Sequence, residues 1–304
     1  MTLRSDSRLE RLLHDGVFAV TAEVVPPRGA DAEAVRRQAR DLAGYADAVN
    51  VTDNPSSSAH MSSVAGAALV AGEGLEPVVQ VTVRDRNRLA ITADLLGAWA
   101  LGARNVLCLT GDPAAIGDHP DAVEVKDLDV LELVRFVTSM RDDGRLLSGA
   151  AADPAPRYFV GVADVPLAER YDPGRLEAKI EAGADFVQTQ IVYDLVGLGE
   201  WADRLRPRGI FERAFVLVGV APPRSLGSVR FMQERLPGVV VPDAVVGRLE
   251  DAGEDAPAEG VRLTVEIVEG LRSIPGIRGV HVMGLGREAA VRSVIEGSGL
   301  LPRP

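Results

Sequence analysis

Pro77-Val-Val-Gln-Val-Thr-Val-Arg-Asp85 alternates apolar and polar residues. Arg88-Leu-Ala-Ile-Thr-Ala-Asp-Leu-Leu-Gly-Ala-Trp-Ala-Leu101 then carries apolar residues at helical spacing, and Asn105-Val-Leu-Cys-Leu-Thr-Gly-Asp112 returns to a short strand-like run. A switch of period from 2 to 3.6 and back describes a strand, a crossover helix and a second strand lying parallel to the first. The same unit recurs on both sides. Strand-like runs cover Val17–Val25, Ala48–Thr52, Pro77–Asp85, Asn105–Asp112, Tyr158–Val165, Phe186–Tyr193, Ala214–Ala221 and Gly279–Leu285. Between them lie helical segments such as Asp31–Tyr45, Arg88–Leu101, Asp129–Met140, Asp172–Ala182 and Ser225–Leu236, several opened by Asp or Ser as N-caps.

Eight strand–helix units predict an α/β fold closed into a (βα)8 TIM barrel, with an open doubly wound sheet as the lesser option. The seventh unit is longer, with helices over Pro242–Gly253 and Glu259–Ser273, so a helical excursion (242–273) precedes the last strand. Residues 1–16 form a helical leader, and Gly144–Pro156 reads as a surface loop rich in small residues and proline. With no linker dividing it, the chain is expected to be one domain, 1–304.

Composition narrows the function. The 304 residues are 46% hydrophobic and 25% charged, enough to bury a large core, and 33 basic residues against 44 acidic give a net charge of -11. The basic residues are scattered, which argues against a nucleic-acid surface and for a small-molecule protein. One cysteine, Cys108, excludes an intramolecular disulfide framework. The N-terminal segment lacks a signal peptide's apolar core, and no run approaches the ~18 apolar residues of a membrane span, so a cytoplasmic protein is expected.

Alternation along the strands sorts their side chains. Phe18, Val20, Ala22 and Val24 form one face of the first strand, leaving Thr21 and Glu23 to point into the barrel. Val49 and Val51 likewise leave Asn50 and Thr52 inward, while Val79, Val81 and Val83 leave Gln80, Thr82 and Arg84. In the fourth strand Leu107 and Leu109 oppose Cys108, Thr110 and Asp112, and the sixth carries Gln188 and Gln190 on one parity. Polar residues thus gather at the C-terminal strand ends, where barrel enzymes build their sites. For any one of them, satisfying a loop backbone is an equally good reading. Glu23 is different: a carboxyl flanked by Ala22, Val24 and Val25, with no basic neighbour in its strand, is expected to be desolvated and raised in pKa, as a general acid requires. Asp112, after Gly111, is a second candidate, weighed against a loop or cap role.

Other residues say less. His14 lies in the leader, His60 on an expected helix, and His119 in a loop, with no second His or Cys at metal-ligand spacing, so no metal site is expected. His281, in the last strand, reads equally as a core histidine or as one reaching the mouth. Gly284-Leu285-Gly286 is a weak phosphate motif, and Trp99 and Trp201 read as packing.

Taken in order, Thr21-Ala-Glu23-Val-Val-Pro26-Pro27, Asn50-Val-Thr52-Asp53-Asn54, Gln80-Val-Thr82-Val-Arg84-Asp85-Arg86-Asn87-Arg88, Leu109-Thr-Gly111-Asp112 and Ala182-Gly-Ala-Asp-Phe-Val-Gln-Thr-Gln190 resemble the methylenetetrahydrofolate reductase family. The resemblance runs from about Val17 to the last strand. It implies a (βα)8 barrel that reduces 5,10-methylenetetrahydrofolate to 5-methyltetrahydrofolate, with FAD reduced by NADH or NADPH. By position it implies that Glu23 is the proton donor, that Asp112 binds the pterin and tunes the flavin, and that Gln190 contacts folate. It places Thr52 beside the flavin, and Asp172 and Lys179 at the ribose and diphosphate of FAD. Thr82, Thr110 and Gly111 at neighbouring strand ends complete the expected cofactor site.

Five positions depart from the family's best-known members. Gln80 replaces a histidine, Thr110 an arginine, and Ala163-Asp164 a Tyr-Pro pair. Leu226 stands where an aromatic packs on nicotinamide and folate, so Gln80 and Leu226 join the expected substrate site. Some members lack flavin and take hydride directly from a nicotinamide, which is one alternative. A pterin-binding methyltransferase or a non-catalytic subunit is another, and either a homo-oligomer or a partner subunit is compatible with the resemblance.

Overall fold

The computed structural model describes residues 3–236 and 238–304. Met1 and Thr2 of the expected leader, and Pro237, lie outside the described residues. Eight strands, β1 (Ala19–Val24), β2 (Ala48–Val51), β3 (Pro77–Thr82), β4 (Asn105–Leu109), β5 (Phe159–Asp164), β6 (Phe186–Ile191), β7 (Phe215–Val220) and β8 (Ile277–Val282), pair in parallel in chain order and close into a barrel. The helices in order are α1 (Arg8–His14), α2 (Ala32–Leu42), α3 (Ser63–Gly72), α4 (Arg88–Ala100), α5 (Val130–Asp143), α6 (Pro173–Glu181), α7 (Leu195–Leu205), α8 (Ile210–Arg213), α9 (Leu226–Arg235), α10 (Asp243–Ala252), α11 (Ala256–Leu271) and α12 (Glu288–Gly297). The expected eightfold barrel is therefore present, with α10 and α11 inserted before β8.

The helix starts follow local chemistry. Asp129 caps α5 through the Glu132 N–H while Glu132 reaches back to the Asp129 N–H, and Asp31 and Asn87 cap α2 and α4. Between strands and helices lies a continuous layer of small β-branched residues, including Val20, Val49, Val79, Val106, Val160, Val187, Val216 and Val280. Inside the barrel a second, separate cluster joins Ala19, Ala48, Val78, Leu107, Phe159, Phe186 and Leu217 to Leu9 and Leu13 of α1, which closes the N-terminal end. Phe159 and Phe186 stack there at 4.8 Å between centroids. The bulk of Phe186 fits because its register partner is Gly161, where a Cβ would lie 2.2 Å from the Phe186 ring.

Two sequence expectations change. The fourth strand faces the other way: Leu107 joins the barrel interior and Cys108 the helix-facing layer, so Cys108, Thr110 and Asp112 do not form one inward row. Alternation cannot choose between two apolar parities, and here the register opposite Gln80 and Thr82 puts the leucines inward. His60 lies not on a helix but in the extended segment before α3, its N–H donated to Asn54 Oδ1. No helix among the described residues is long and apolar enough to cross a membrane.

Candidate functional site

With the N-terminal end plugged by α1, the open end of the barrel is the one at which the strands finish. A cavity of about 860 Å³ occupies it, extending from β1 across the ends of β2–β5 to α6. Of the residues expected to form the site, Glu23, Gln80, Thr52, Thr82, Thr110, Gly111, Asp112, Asp172 and Lys179 all border this cavity. Gln190 and Leu226 do not. Gln190 Oε1 accepts the N–H of Ile191 at the β6 bulge, and Leu226 begins α9, packed against the outer core.

Glu23 sits at the inner end of the cavity. Burial alone pushes its carboxyl from the usual range up to about 7. No hydrogen-bond or ion-pair partner of its side chain occurs among the described residues. Below it lies a buried polar layer. Asn50 Nδ2 donates to Gln188 Oε1 at 2.6 Å, Gln188 Nε2 donates to Thr21 Oγ1 at 3.1 Å, and Thr21 Oγ1 lies 3.0 Å from His281 Nδ1. His281 therefore belongs to the polar interior, and burial lowers its pKa to about 4, keeping the ring neutral.

The β2–β4 side is organised by ion pairs and tight turns. Asp53 accepts from the Thr82 N–H at 2.8 Å and Thr82 Oγ1 at 3.0 Å, and pairs with Arg86. Its carboxyl is nonetheless raised by burial, with Arg86 and Thr82 opposing. Arg84, 4% exposed, donates to Asp85, to Ser57 Oγ at 2.8 Å and to the Asp112 main-chain oxygen at 3.0 Å. It thereby ties three loops together. Gly111 has φ +87°, and a Cβ there would lie 3.0 Å from Arg84 Cβ, so only glycine lets the β4 loop pass. Asn54, Ser56 and Ser57 all take left-handed conformations, which non-glycine residues hold only when neighbours fix them. Asp112 provides part of that restraint, its carboxylate accepting the Ser56 N–H at 2.9 Å.

At the far end Asp172 caps α6, accepting the Gly174 N–H at 2.9 Å, and Lys179 Nζ donates to the Ala163 carbonyl at 2.6 Å. Asp164, 8% exposed, accepts from Tyr171 OH at 2.9 Å and Trp201 Nε1 at 3.2 Å. Burial raises its pKa while Tyr171 and Lys179 oppose, and burial lowers that of Lys179. Arg170 and Arg175 border the same end. Sequence reading noted Asp164 only as a departure, because its parity in β5 points toward the helices. Tyr171 and Arg170 lie in a loop with no periodic signal. Among the described residues no three His, Cys, Asp or Glu side chains converge as a metal's ligands.

A family model, methylenetetrahydrofolate reductase, matches residues 8–299. Methylenetetrahydrofolate reductase 1 of Schizosaccharomyces pombe is 28% identical over 238 residues, 75% of this chain and 36% of that one. A probable methylenetetrahydrofolate reductase (NADPH) of Caenorhabditis elegans is 23% identical over 311 residues, 96% of this chain and 44% of the other. Methylenetetrahydrofolate reductase (NADH) 1 of Arabidopsis thaliana is 25% identical over 206 residues, 66% of this chain and 34% of that one. The chain thus spans between a third and a half of the length of these curated relatives. Among solved structures, an uncharacterized protein from Clostridium thermocellum that binds two copies of 5-methyl-5,6,7,8-tetrahydrofolic acid superposes with a TM-score of 0.63, at 13% identity over 97% of this chain and all of that one. That likeness is one of fold.

Proposed function

We propose that this chain, which belongs to the methylenetetrahydrofolate reductase family, reduces 5,10-methylenetetrahydrofolate to 5-methyltetrahydrofolate with electrons from NADH or NADPH. The observation that carries the reading is Glu23: a carboxyl in the mouth of the barrel, without a partner among the described residues, and neutral up to about pH 7. Reduction of the bridging methylene needs such a group. The Glu23 O–H protonates the ring nitrogen that must leave, the C–N bond opens to an iminium, and hydride adds to the iminium carbon, giving the N-methyl product. Glu23 is left as the carboxylate, to be reprotonated from solvent. General acid catalysis of this kind contributes about 10²–10⁴-fold. Asp112 is read as a ligand of the pterin and Gln80 as a further substrate contact, both bordering the cavity; Gln190 and Leu226 lie outside it and would touch folate only where the substrate extends beyond it.

The cavity also has features suited to FAD. Thr52 Oγ1 is buried there without a hydrogen-bond partner among the described residues, an orphan that a bound polar ligand would satisfy. Gly111 admits a close approach to the backbone, and Lys179, Arg170 and Arg175 supply positive charge for a diphosphate. Thr52, Thr82, Thr110, Gly111, Asp172 and Lys179 would hold the cofactor. When bound, FAD would carry hydride from the nicotinamide to the folate. A second reading, reduction by the nicotinamide without flavin, draws on the altered strand ends: Gln80, Thr110 and Ala163-Asp164 line the cavity where the family's best-known members carry other residues.

Anaerobic incubation of the purified protein with methylenetetrahydrofolate and NADH or NADPH, with the visible spectrum recorded before and after, tests both readings. The expected outcome is methyltetrahydrofolate formation and a flavin band that bleaches on reduction. Turnover by a colourless protein selects the second reading, and folate binding without turnover by either donor or with added FAD overturns both.

A further inference from the structure

Glu23 and Asn50 are partners in the β1–β2 ladder, and alternation turns both side chains into the barrel. An amide in that position is well placed to donate to the carboxyl. It is held elsewhere: one N–H of Asn50 Nδ2 donates to Gln188 Oε1 at 2.6 Å and Asn50 Oδ1 accepts from Gln188 Nε2 at 3.1 Å, which fixes the orientation of the whole amide, and the second N–H makes no hydrogen bond to Glu23. The two amides close a reciprocal pair between β2 and β6, and Gln188 Nε2 also reaches Thr21 Oγ1. All three side chains are buried, with Asn50 and Thr21 at 0% exposure and Gln188 at 3%.

We propose that Gln188 is a positioning residue for the acid: by capturing the Asn50 amide it withholds a hydrogen-bond donor from Glu23 and so favours the protonated carboxyl. A donor to a carboxylate stabilises the charged form and lowers its pKa, so removing the competitor should do the same. The proposal rests on the reading of Glu23 as the proton donor. Other titratable groups do not account for the neutrality of Glu23. His281, facing from β8, is neutral, and Asp53, after β2, is held by Arg86. Arg84, Asp112, Asp129 and Asp164 border the cavity from the ends of β3–β5 and the start of α5, and Arg170, Asp172, Arg175 and Lys179 border it from α6 and the loop before it. Burial alone accounts for the displacement of Glu23, with no charged neighbour contributing.

The test titrates the Glu23 carboxyl directly, by carbon NMR of protein labelled at glutamate Cδ and free of ligand, with Glu23→Gln identifying the resonance. Gln188→Met should lower the Glu23 pKa by about one unit, a size set by one added hydrogen bond to the ionised form. Gln188→Asn, which keeps the site polar but is too short to close the pair, should shift it in the same direction and serves if the methionine variant does not fold. Adding Asn50→Leu to Gln188→Met removes the donor and should return the pKa to its starting value. An unchanged or raised pKa in the Gln188 variants overturns the proposal, as does a lowered pKa that survives loss of Asn50. In parallel, the alkaline limb of the folate-reduction profile should move down with the NMR value. If the NMR pKa moves and the limb does not, the amide pair acts as proposed and it is the proton-donor reading that fails.

Discussion

The carboxylate of Asp112 accepts the backbone N–H of Ser56 at 2.9 Å, fastening the loop after β4 to a turn after β2 whose residues hold left-handed conformations. Ser57 Oγ adds a second tie to the Asp112 main-chain oxygen at 2.8 Å. The residue expected to grip the pterin is thus also a brace of the mouth. Asp112→Ala should weaken folate affinity by about tenfold or more, the loss of a charged hydrogen bond, whereas Asp112→Asn keeps an acceptor for Ser56 and should fall between. Folate dissociation constants from protein fluorescence, with circular dichroism to confirm the fold, check this. Equal losses in both variants would leave the brace without a role in binding.

Glu23→Gln should cut methylenetetrahydrofolate reduction by at least about 100-fold while folate still binds. It should also stabilise the protein. Because the folded pKa of Glu23 is raised from 4.5 to about 7, the native state holds its proton more tightly, and stability falls as pH rises through that window. Above pH 7 the Gln variant should exceed the parent by roughly 3 kcal/mol in urea unfolding, and at pH 4 the two should coincide.

His281 has the opposite sign. Its pKa drops from 6.5 to about 4 in the folded state, so stability is full above pH 6.5 and is lost as pH falls toward 4. His281→Gln should flatten that acid limb. Urea midpoints at pH 4, 5 and 7 measure it, and an equal slope in parent and variant would show that His281 does not titrate on unfolding.

Asp164→Asn removes the buried carboxyl beside Lys179 and leaves the lysine more available to an anion. Binding of FAD or NADH, whichever the protein takes, should tighten about three- to tenfold, measured by equilibrium dialysis. No change, or weaker binding, would remove Lys179 from the anion site.

Gly161→Ala would drive a Cβ into the Phe186 ring, 2.2 Å from its nearest atom. In a core of stacked aromatics this overpacking should cost about 2–3 kcal/mol, read as a lowered urea midpoint. Phe186→Leu in the same background should recover part of the loss.

The sequence alone determined the barrel, because strand and helix periods repeat along the chain and parallel strands joined by crossovers close in only a few ways. It also determined that Glu23 points inward, since the apolar residues flanking it in β1 leave one parity polar. Alternation failed at β4, where Leu107, Cys108 and Leu109 are all apolar and only the register with β3 sets the inward face. Three further matters were settled only by tertiary structure, because each joins residues far apart in the chain. Asn50 and Gln188 meet across 138 positions to form the buried amide pair, and Asp112 meets Ser56 across 56. Lys179 finds Ala163 and Asp164 rather than open solvent. A local pattern records which way a side chain points, and closure of the barrel decides what it meets.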